Sequence, residues 1–327
     1  MTEEIMLTIG LITYNHAKYV KQALDGIIMQ KTDFKYEVVV GDDASDDGTQ
    51  EILKQYSEMY PDIFHLILRE KNIGATKNNY DIKQYARGKY FACLEGDDFW
   101  IDSQKLQIQV DFLESHPEYV ACVHKCMFVD EFGKQKENQP INGYYYNEEI
   151  FTIKQFERGL LPGQTATLMY RNIFLDEEKD FSIMYTANQY IADKTAILIL
   201  LSYSNIYCID KVMSCYRYVI EEKGRNVSSK YIGKNNRDEL MEYLTILEQY
   251  AKKELNIDLD MSYKKKNYFV AAVTVWMREP TNANERVVRR MLELSGNAFS
   301  YKILKYKTKV FKWISWTILK RDIKIKV

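Results

Sequence analysis

The stretch GKYFACLEGDDFW, residues 88–100, joins an apolar run to a cluster of acids. The run YFACL at 90–94 is typical of a buried strand. Glu95, Asp97 and Asp98 follow it directly, and like charges at this spacing repel one another unless a cation joins them. An exposed acidic turn is the alternative interpretation. The position after a buried strand favours a divalent metal that bridges the acids to a diphosphate.

Strand and helix patterns alternate over the first 130 residues. Apolar, β-branched runs predict strands, and apolar residues at helical spacing predict helices. The predicted strands are 6–13, 36–43, 64–70, 88–94 and 119–130, and the predicted helices are 16–30, 49–61, 75–86 and 103–117. This alternation predicts an α/β fold whose mainly parallel sheet is flanked by helices. Ligands bind such sheets at the carboxyl ends of the strands.

The pattern loosens after about residue 135. Residues 166–172 predict a strand or a short helix, 188–202 a helix, and 206–218 strand structure. From residue 235 onward the chain is helical in character, with predicted helices at 237–255, 264–279 and 284–296.

Polar residues also end the first two predicted strands. Thr13, Tyr14 and Asn15 end the first, where backbone amides before a helix suit an anion or a base carbonyl. GDDASDDGT, residues 41–49, ends the second and suits helix capping. Four aspartates are more than a cap needs. A carboxylate such as Asp43 can accept hydrogen bonds from a base N–H or from ribose hydroxyls.

Several protein classes are disfavoured by the sequence. The net charge of −1 over 327 residues gives no basic field for nucleic acid. No GxGxxG follows the first strand and no GxxxxGK[ST] occurs, which argues against a dinucleotide fingerprint and a Walker loop. Five cysteines without a CxxC pair indicate reduced thiols in the cytoplasm. The pattern contains neither a signal peptide nor an apolar run of membrane-spanning length.

Five motifs, taken in order, resemble those of the family-two nucleotide-sugar glycosyltransferases. They are TYN at 13–15, YEVVVGDDASDDGT at 36–49, NIGATKNN at 72–79, GKYFACLEGDDFW at 88–100 and YR at 216–217. The resemblance covers roughly residues 5–220. It implies a GT-A (Rossmann-like) fold, a nucleotide diphosphate sugar donor, a divalent cation (Mn²⁺ or Mg²⁺) and inversion at the anomeric carbon.

The resemblance also implies a domain division. Residues 1–225 would form the GT-A catalytic domain, with a nucleotide-sugar and metal half at 1–130 and an acceptor half at 131–225. Residues 226–327 would form a helical C-terminal region.

Motif position implies the roles of individual residues. Asp97 and Asp98 would be the metal-binding pair, with Glu95 at the first acidic position, where the family more often has Asp. The donor would be bound by Thr13, Tyr14, Asn15, Asp43, Lys77, Asn78, Asp97 and Arg217. Gln164 and Thr165 would line the acceptor side. The four histidines are interpreted as ordinary structural or surface residues.

An inverting transfer needs a general base for the acceptor hydroxyl. In the family an acid near a helix start has this role, and Asp193 in YIADKTAILILLS matches it. Two departures from the family pattern stand nearby. Ala192 replaces the first of two usual acids, and Val219 stands where a histidine is common. Asp193 also suits helix N-capping, which is the alternative interpretation.

The sequence thus predicts a glycosyltransferase with a UDP-linked donor favoured and a saccharide or lipid-linked saccharide acceptor in cell-surface or capsular polysaccharide synthesis. The alternatives are a catalytically silent glycan- or nucleotide-binding protein and a sugar nucleotidyltransferase. The basic, aromatic tail after residue 300 suits peripheral contact at the inner face of the cell membrane, or packing on the catalytic domain. The helices before it suit a small bundle or a homodimer contact.

Overall fold

The computed structural model describes residues 4–136, 148–176, 178–218 and 236–295. The strands are β1 (Leu7–Thr13), β2 (Tyr36–Asp42), β3 (Phe64–Leu68), β4 (Tyr90–Glu95), β5 (Phe99–Trp100), β6 (Ala121–Val129), β7 (Ile150–Phe151), β8 (Met169–Arg171) and β9 (Ile206–Arg217). The helices are α1 (Val20–Ile28), α2 (Thr49–Met59), α3 (Ala75–Lys83), α4 (Lys105–Ser115), α5 (Ile153–Glu157), α6 (Ile183–Thr186), α7 (Asp193–Leu201), α8 (Arg237–Glu254), α9 (Ser262–Arg278) and α10 (Asn282–Leu294). Short 3₁₀ turns occur at Thr165–Thr167 and Ile173–Leu175. The chain divides into two compact units, Met1–Ile220 and Glu221–Val327.

One sheet in the first unit contains all nine described strands. Its order is β3-β2-β1-β4-β8-β6-β9-β5, and β7 pairs with β9. The strands β3, β2, β1 and β4 are parallel, whereas β8 runs antiparallel to both of its neighbours. Thr13 lies opposite Asp42, and Ile12 lies opposite Glu95. The carboxyl ends of β1, β2 and β4 therefore meet at one edge of the sheet, and the predicted mainly parallel α/β architecture is confirmed.

The apolar runs of the central strands form the core. Leu7, Ile9 and Leu11 of β1 are fully buried, as expected for a parallel strand that is covered on both faces. On α1, Leu24 and Ile27 are also fully buried and share one face of the helix. Burial of each such side chain contributes about 1.5–3 kcal/mol. The periodicity that predicted these elements thus reflects their packing.

Helix α1 packs very closely on β5. A Cβ on Gly26 would lie 2.9 Å from Trp100 O and 3.1 Å from Trp100 N. Only glycine lets the two backbones approach this closely. The contact holds the end of the EGDDFW stretch against a helix, which restricts where the acidic loop can lie.

Two predicted helices begin later than expected. Helix α1 starts at Val20, because residues 16–19 form a turn in which His16 O accepts from the Tyr19 and Val20 N–H groups. Helix α7 starts at Asp193, because the Asn188 side chain accepts from the Tyr190 N–H at 2.8 Å and forms an Asx-turn.

The segment 166–172 contains both structures that the sequence left open. The 3₁₀ turn Thr165–Thr167 leads into β8, which has only three residues and lies between β4 and β6. Such a short run gives little periodicity, so its antiparallel place in the sheet was not predicted.

The second unit contains α8, α9 and α10. They pack around a small apolar core of Met241, Ala272, Trp276, Val288, Met291 and Leu292. The Thr281 side chain caps α10 by accepting from the Asn284 N–H at 3.2 Å. Within the described part of the chain, no helix has both the length and the apolar character needed to cross a membrane. The basic aromatic tail lies outside the described residues.

Candidate active site

The acidic loop that follows β4 is hydrogen bonded to the end of the neighbouring strand β1. The Gly96 N–H donates to Ile12 O at 2.9 Å, and the Asp98 N–H donates to Glu95 O at 3.0 Å. A Cβ on Gly96 would lie 2.7 Å from Thr13 Cγ2, so glycine is required for this approach. The three acids therefore stand on a tight turn that is tied to the sheet.

The carboxylates of this turn face one another. One oxygen from each of Glu95, Asp97 and Asp98 lies within 4.8 Å of the other two. Burial, followed by repulsion from Asp97 and Asp193, raises the pKa of Glu95 to about 8. Burial and repulsion from Asp97 and Glu95 raise the pKa of Asp98 well above its usual range. A divalent cation, which prefers oxygen ligands, would relieve this repulsion.

Asp98 is held from two sides by uncharged donor groups. The Arg217 backbone N–H donates to Asp98 Oδ1 at 2.8 Å, and the Gln164 side-chain amide donates to Oδ2 at 2.9 Å. Asp98 is only 1% exposed. The two hydrogen bonds orient this carboxylate, and each oxygen keeps a further lone pair for a cation.

The Arg217 side chain is a buried tie between loops. Its guanidinium donates to the backbone carbonyls of Asp97 at 2.9 Å, Asp130 at 3.1 Å and Glu131 at 2.9 Å, and to Gln22 Oε1 at 2.7 Å. It lies 4.4 Å from the Tyr19 ring centroid. Arg217 therefore holds the backbone of the acidic loop. Its contact with the donor diphosphate stays a prediction.

Asp193 comes near the acidic loop from a distant part of the sequence. It is the first residue of α7, and Ala192 occupies the N-cap position. Its charge is among the causes that raise the pKa of Glu95, so Asp193 lies within electrostatic range of the acidic loop. The structure thus brings Asp193 to the same edge of the sheet as the three acids.

The aspartates after β2 have a different environment. Asp42 is fully buried and accepts from Thr13 Oγ1 at 2.7 Å, Ser45 N at 3.0 Å, Ser45 Oγ at 2.6 Å and Gln50 Nε2 at 2.7 Å. Asp47 accepts from the Ala17 N–H at 3.0 Å and caps α2 through Thr49. These two carboxylates organise the turn between the strand and the helix.

Asn15 belongs to the same network. It has a positive φ of 56°. Its N–H donates to Ser45 Oγ at 2.9 Å, and its side-chain oxygen accepts from the Asp46 N–H at 3.0 Å. Thr13 and Asn15 thus join the ends of β1 and β2, and their predicted contact with a nucleotide stays a prediction.

Asp43 ties this region to the loop before α3. Its carboxylate accepts from the Ile73 N–H at 2.8 Å and from the Gly74 N–H at 2.9 Å. It is 2% exposed. The geometry shows a loop clamp, and any hydrogen bond to a nucleotide would use the remaining lone pairs.

The other predicted donor residues differ in accessibility. Tyr14 is 41% exposed at the end of β1. Lys77 pairs with Asp81 and lies 4.6 Å from the Tyr185 ring centroid, with its side chain 37% exposed. Asn78 is buried and donates to Gly41 O at 2.7 Å. Tyr14 and Lys77 are accessible to a ligand, whereas Asn78 fixes α3 to β2.

His16 is a site neighbour that the sequence interpretation assigned to ordinary structure. Its Nε2 lies 3.9 Å from Asp97 Oδ2, and its Nδ1 is buried and has no hydrogen-bond partner among the residues that the structure describes. The sequence feature that could have indicated its place is its position directly after TYN, at the strand end to which the acidic loop is hydrogen bonded. Spacing alone does not show that Gly96 would bring Asp97 next to it.

Comparison with known proteins identifies the family. The family model described as glycosyl transferase family 2 matches residues 8–177. This is more than half of the chain, and the chain belongs to that family. An uncharacterized protein of Mycobacterium tuberculosis is 43% identical over 166 residues, which are 50% of this chain and 46% of the relative. The putative teichuronic acid biosynthesis glycosyltransferase TuaG of Bacillus subtilis is 33% identical over 101 residues, 31% of this chain and 39% of the relative. The chain spans about half the length of the curated relatives it matches.

Solved structures share the fold. Staphylococcus aureus TarS 1-349 in complex with UDP-GlcNAc aligns with a TM-score of 0.64 and 16% identity, covering 99% of this chain and 94% of that one. The mannosyltransferase PcManGT of Pyrobaculum calidifontis, in complex with GDP-Man and Mn²⁺, aligns with a TM-score of 0.54 and 16% identity, covering 98% and 89%. The GT-A fold expected from the sequence motifs is confirmed.

Proposed function

We propose that the protein is a metal-dependent, inverting glycosyltransferase. It moves a sugar from a nucleotide diphosphate donor, with UDP favoured, to a hydroxyl of a cell-surface or capsular saccharide. The observation that carries the proposal is the cluster of Glu95, Asp97 and Asp98 at the carboxyl edge of the sheet, with Asp193 within electrostatic range of Glu95. Family membership and the name of the Bacillus relative support the reaction class and the polysaccharide setting.

The acidic loop fits a divalent cation. Three carboxylate oxygens within 4.8 Å of one another match the oxygen ligands of Mn²⁺ or Mg²⁺. Asp97 and Asp98 would hold the ion, with Glu95 beside them. When bound, the ion supplies positive charge that stabilises the departing diphosphate. The solved mannosyltransferase of the same fold is in complex with Mn²⁺, which supports the choice of metal.

The donor would lie along the ends of β1 and β2. Tyr14, Lys77 and Asp97 offer partly exposed side chains there. The buried residues of the predicted set, Thr13, Asp43, Asn78 and Arg217, would shape the site together with Asn15 through their hydrogen bonds to loops. The UDP-GlcNAc complex of TarS supports a UDP-linked donor.

Asp193 would act as the general base. The acceptor oxygen attacks the anomeric carbon, the bond from that carbon to the diphosphate oxygen breaks, and the hydroxyl proton passes to the Asp193 carboxylate. The place of Asp193 near Glu95, at the start of α7, supports this role. Attack opposite the leaving group inverts the anomeric configuration.

The acceptor and the cellular setting belong to the same proposal. Gln164 and Thr165, which precede β8, would line the acceptor side for a saccharide or lipid-linked saccharide. Free cysteines, of which Cys93, Cys122 and Cys215 are buried, support a reducing cytoplasmic compartment. We also propose that the C-terminal tail contacts the inner face of the membrane. The helical region would form the contact of a homodimer.

The test is a calorimetric titration with UDP in the presence of Mn²⁺, repeated after addition of a chelator. We expect binding that requires the metal, followed by release of UDP when the correct UDP-sugar and acceptor are supplied. Binding of GDP, dTDP or CDP instead would change the nucleotide and keep the reaction class. If none of these nucleotides binds with metal, the proposal is wrong. Donor binding without turnover under any acceptor would favour the silent binding protein.

A further inference from the structure

The side chain of Gln164 is built into the acidic cluster from a separate loop. Its Nε2 donates to Asp98 Oδ2 at 2.9 Å, and its Oε1 accepts from the Ala166 N–H at 2.7 Å. Because the Ala166 N–H can only donate, it requires the amide oxygen on its own side. The amide NH₂ must therefore face the acids.

The loop that carries Gln164 is fixed from several directions. Thr167 donates to Gln164 O through its hydroxyl at 2.6 Å and through its N–H at 2.9 Å. The Trp100 indole N–H donates to Ala166 O at 2.9 Å. The Gln109 amide donates to Thr167 O at 2.9 Å. Gln164 is 6% exposed, so this conformation does not depend on solvent contacts.

The two groups that donate hydrogen bonds to Asp98 orient its carboxylate and carry no charge themselves. Gln164 supplies an uncharged amide to one oxygen, and Arg217 supplies its backbone N–H to the other. The Arg217 guanidinium is occupied by carbonyl groups and by Gln22. The Asp98 carboxylate is thus held in a set direction by groups that do not form an ion pair with it, and a cation ligand needs this orientation. Groups that orient a ligand in this way typically change metal affinity by 10–100-fold.

We infer that Gln164 is a positioning residue of the metal site. It aims the Asp98 carboxylate through the hydrogen bond to Oδ2. The inference rests on the proposed function, and it adds a residue outside the acidic motif. It also assigns the loop before β8 to metal binding as well as to the acceptor side.

The experiment measures Mn²⁺ binding to the full chain by electron paramagnetic resonance, with and without UDP. Gln164→Met keeps the side-chain length and removes the amide. Gln109→Met is the matched control, because Gln109 is equally buried and contacts the same loop at Thr167 without touching the acids. We expect Gln164→Met to weaken Mn²⁺ binding about 10-fold and to change the spectrum of the bound ion, whereas Gln109→Met leaves both near wild type. Gln164→Asn, one methylene shorter, is the second variant if Gln164→Met does not fold.

The possible results separate this inference from the proposed function. If the wild type binds Mn²⁺ and Gln164→Met binds it equally well with the same spectrum, Gln164 has no positioning role and the proposed function stands. Equal weakening by both variants would assign the effect to packing of the loop and would also overturn the inference. If the wild type binds no Mn²⁺ with or without UDP, both proposals are wrong.

Discussion

The two strands that flank β1 both end in clusters of acidic residues, and these clusters differ in their hydrogen-bonding environment. After β2, Asp42 and Asp47 accept several N–H and O–H groups from their own turn. After β4, Asp98 accepts from two uncharged donors within the described part of the chain, and repulsion by its neighbours contributes to its raised pKa. Donors that satisfy a carboxylate make it structural, whereas unrelieved charge leaves a carboxylate available to a cation or a substrate. The carboxylates at this edge of the sheet therefore differ in how far the protein itself satisfies them.

The largest expected effect comes from Asp193→Asn. This change removes the proton acceptor and leaves the acidic loop in place, so transfer should fall about 10³-fold while UDP and Mn²⁺ still bind. Initial rates of UDP release, together with calorimetric donor affinity, check both parts. Transfer at the normal rate would show that another group is the base.

The contrast between the two strand ends can be tested directly with Asp42→Asn and Asp98→Asn. Asp42→Asn removes an acceptor from a satisfied network, so the free energy of unfolding should fall by about 2 kcal/mol. Asp98→Asn relieves the repulsion but sets an amide NH₂ against one of the two donors, so its effects on the stability of the metal-free protein oppose each other, whereas metal-dependent UDP binding should disappear. Urea unfolding with chelator and calorimetry with Mn²⁺ measure the two effects. The opposite assignment, with Asp42→Asn abolishing metal binding, would break the contrast.

The pH dependence of stability gives a third test. Since the pKa of Glu95 is raised from 4.5 to about 8, the folded metal-free protein binds a proton that the unfolded chain has released. The contribution of Glu95 to stability therefore falls as the pH rises from 4.5 to 8, by on the order of 1 kcal/mol per pH unit. Glu95→Gln should remove this slope, and the difference between wild type and variant isolates it from other groups.

Two buried basic side chains make stability rise with pH, opposite to the effect of Glu95. The effect of Glu95 is therefore measured as the difference between wild type and Glu95→Gln. Burial lowers the pKa of His124 to about 3 and that of Lys105 to about 7. Each contributes stability that increases with pH, for His124 between 3 and 6.5 and for Lys105 between 7 and 10.5. If the free energy of unfolding depends on pH in the same way in wild type and Glu95→Gln, the raised pKa of Glu95 is contradicted.

The sequence predicted the parallel half of the sheet and the edge where the acids meet. Runs such as YFACL and YEVVV are long and apolar, so their burial is strongly specified. The place of Asp193 near Glu95 followed from the family motif and not from spacing. It depends on how α7 packs, which no local pattern encodes. The three-residue β8 and the two-residue β5 are too short to give a period.

The partners of buried polar groups were the part that sequence could not supply. Arg217 was predicted to bind the donor. In the structure its guanidinium donates to backbone carbonyls of loops that are more than 80 residues away in the sequence. Asp43 was expected at a base, and its oxygens accept from the loop before α3. Charge and spacing show that such residues need partners. Only the three-dimensional course of the loops shows which partners are near.

The smallest expected effects lie within GDDASDDGT itself and sharpen the comparison. Asp47→Ala removes acceptors for Ala17 N and Thr49 N, so the free energy of unfolding should fall by about 1 kcal/mol, as for a lost helix cap. Asp46 is exposed, and Asn15 contacts its backbone N–H and not its carboxylate. Asp46→Ala should therefore stay within about 0.5 kcal/mol of wild type. Urea unfolding of the pair measures the difference. Equal losses would mean that net negative charge, and not the hydrogen bonds of particular carboxylates, stabilises this turn.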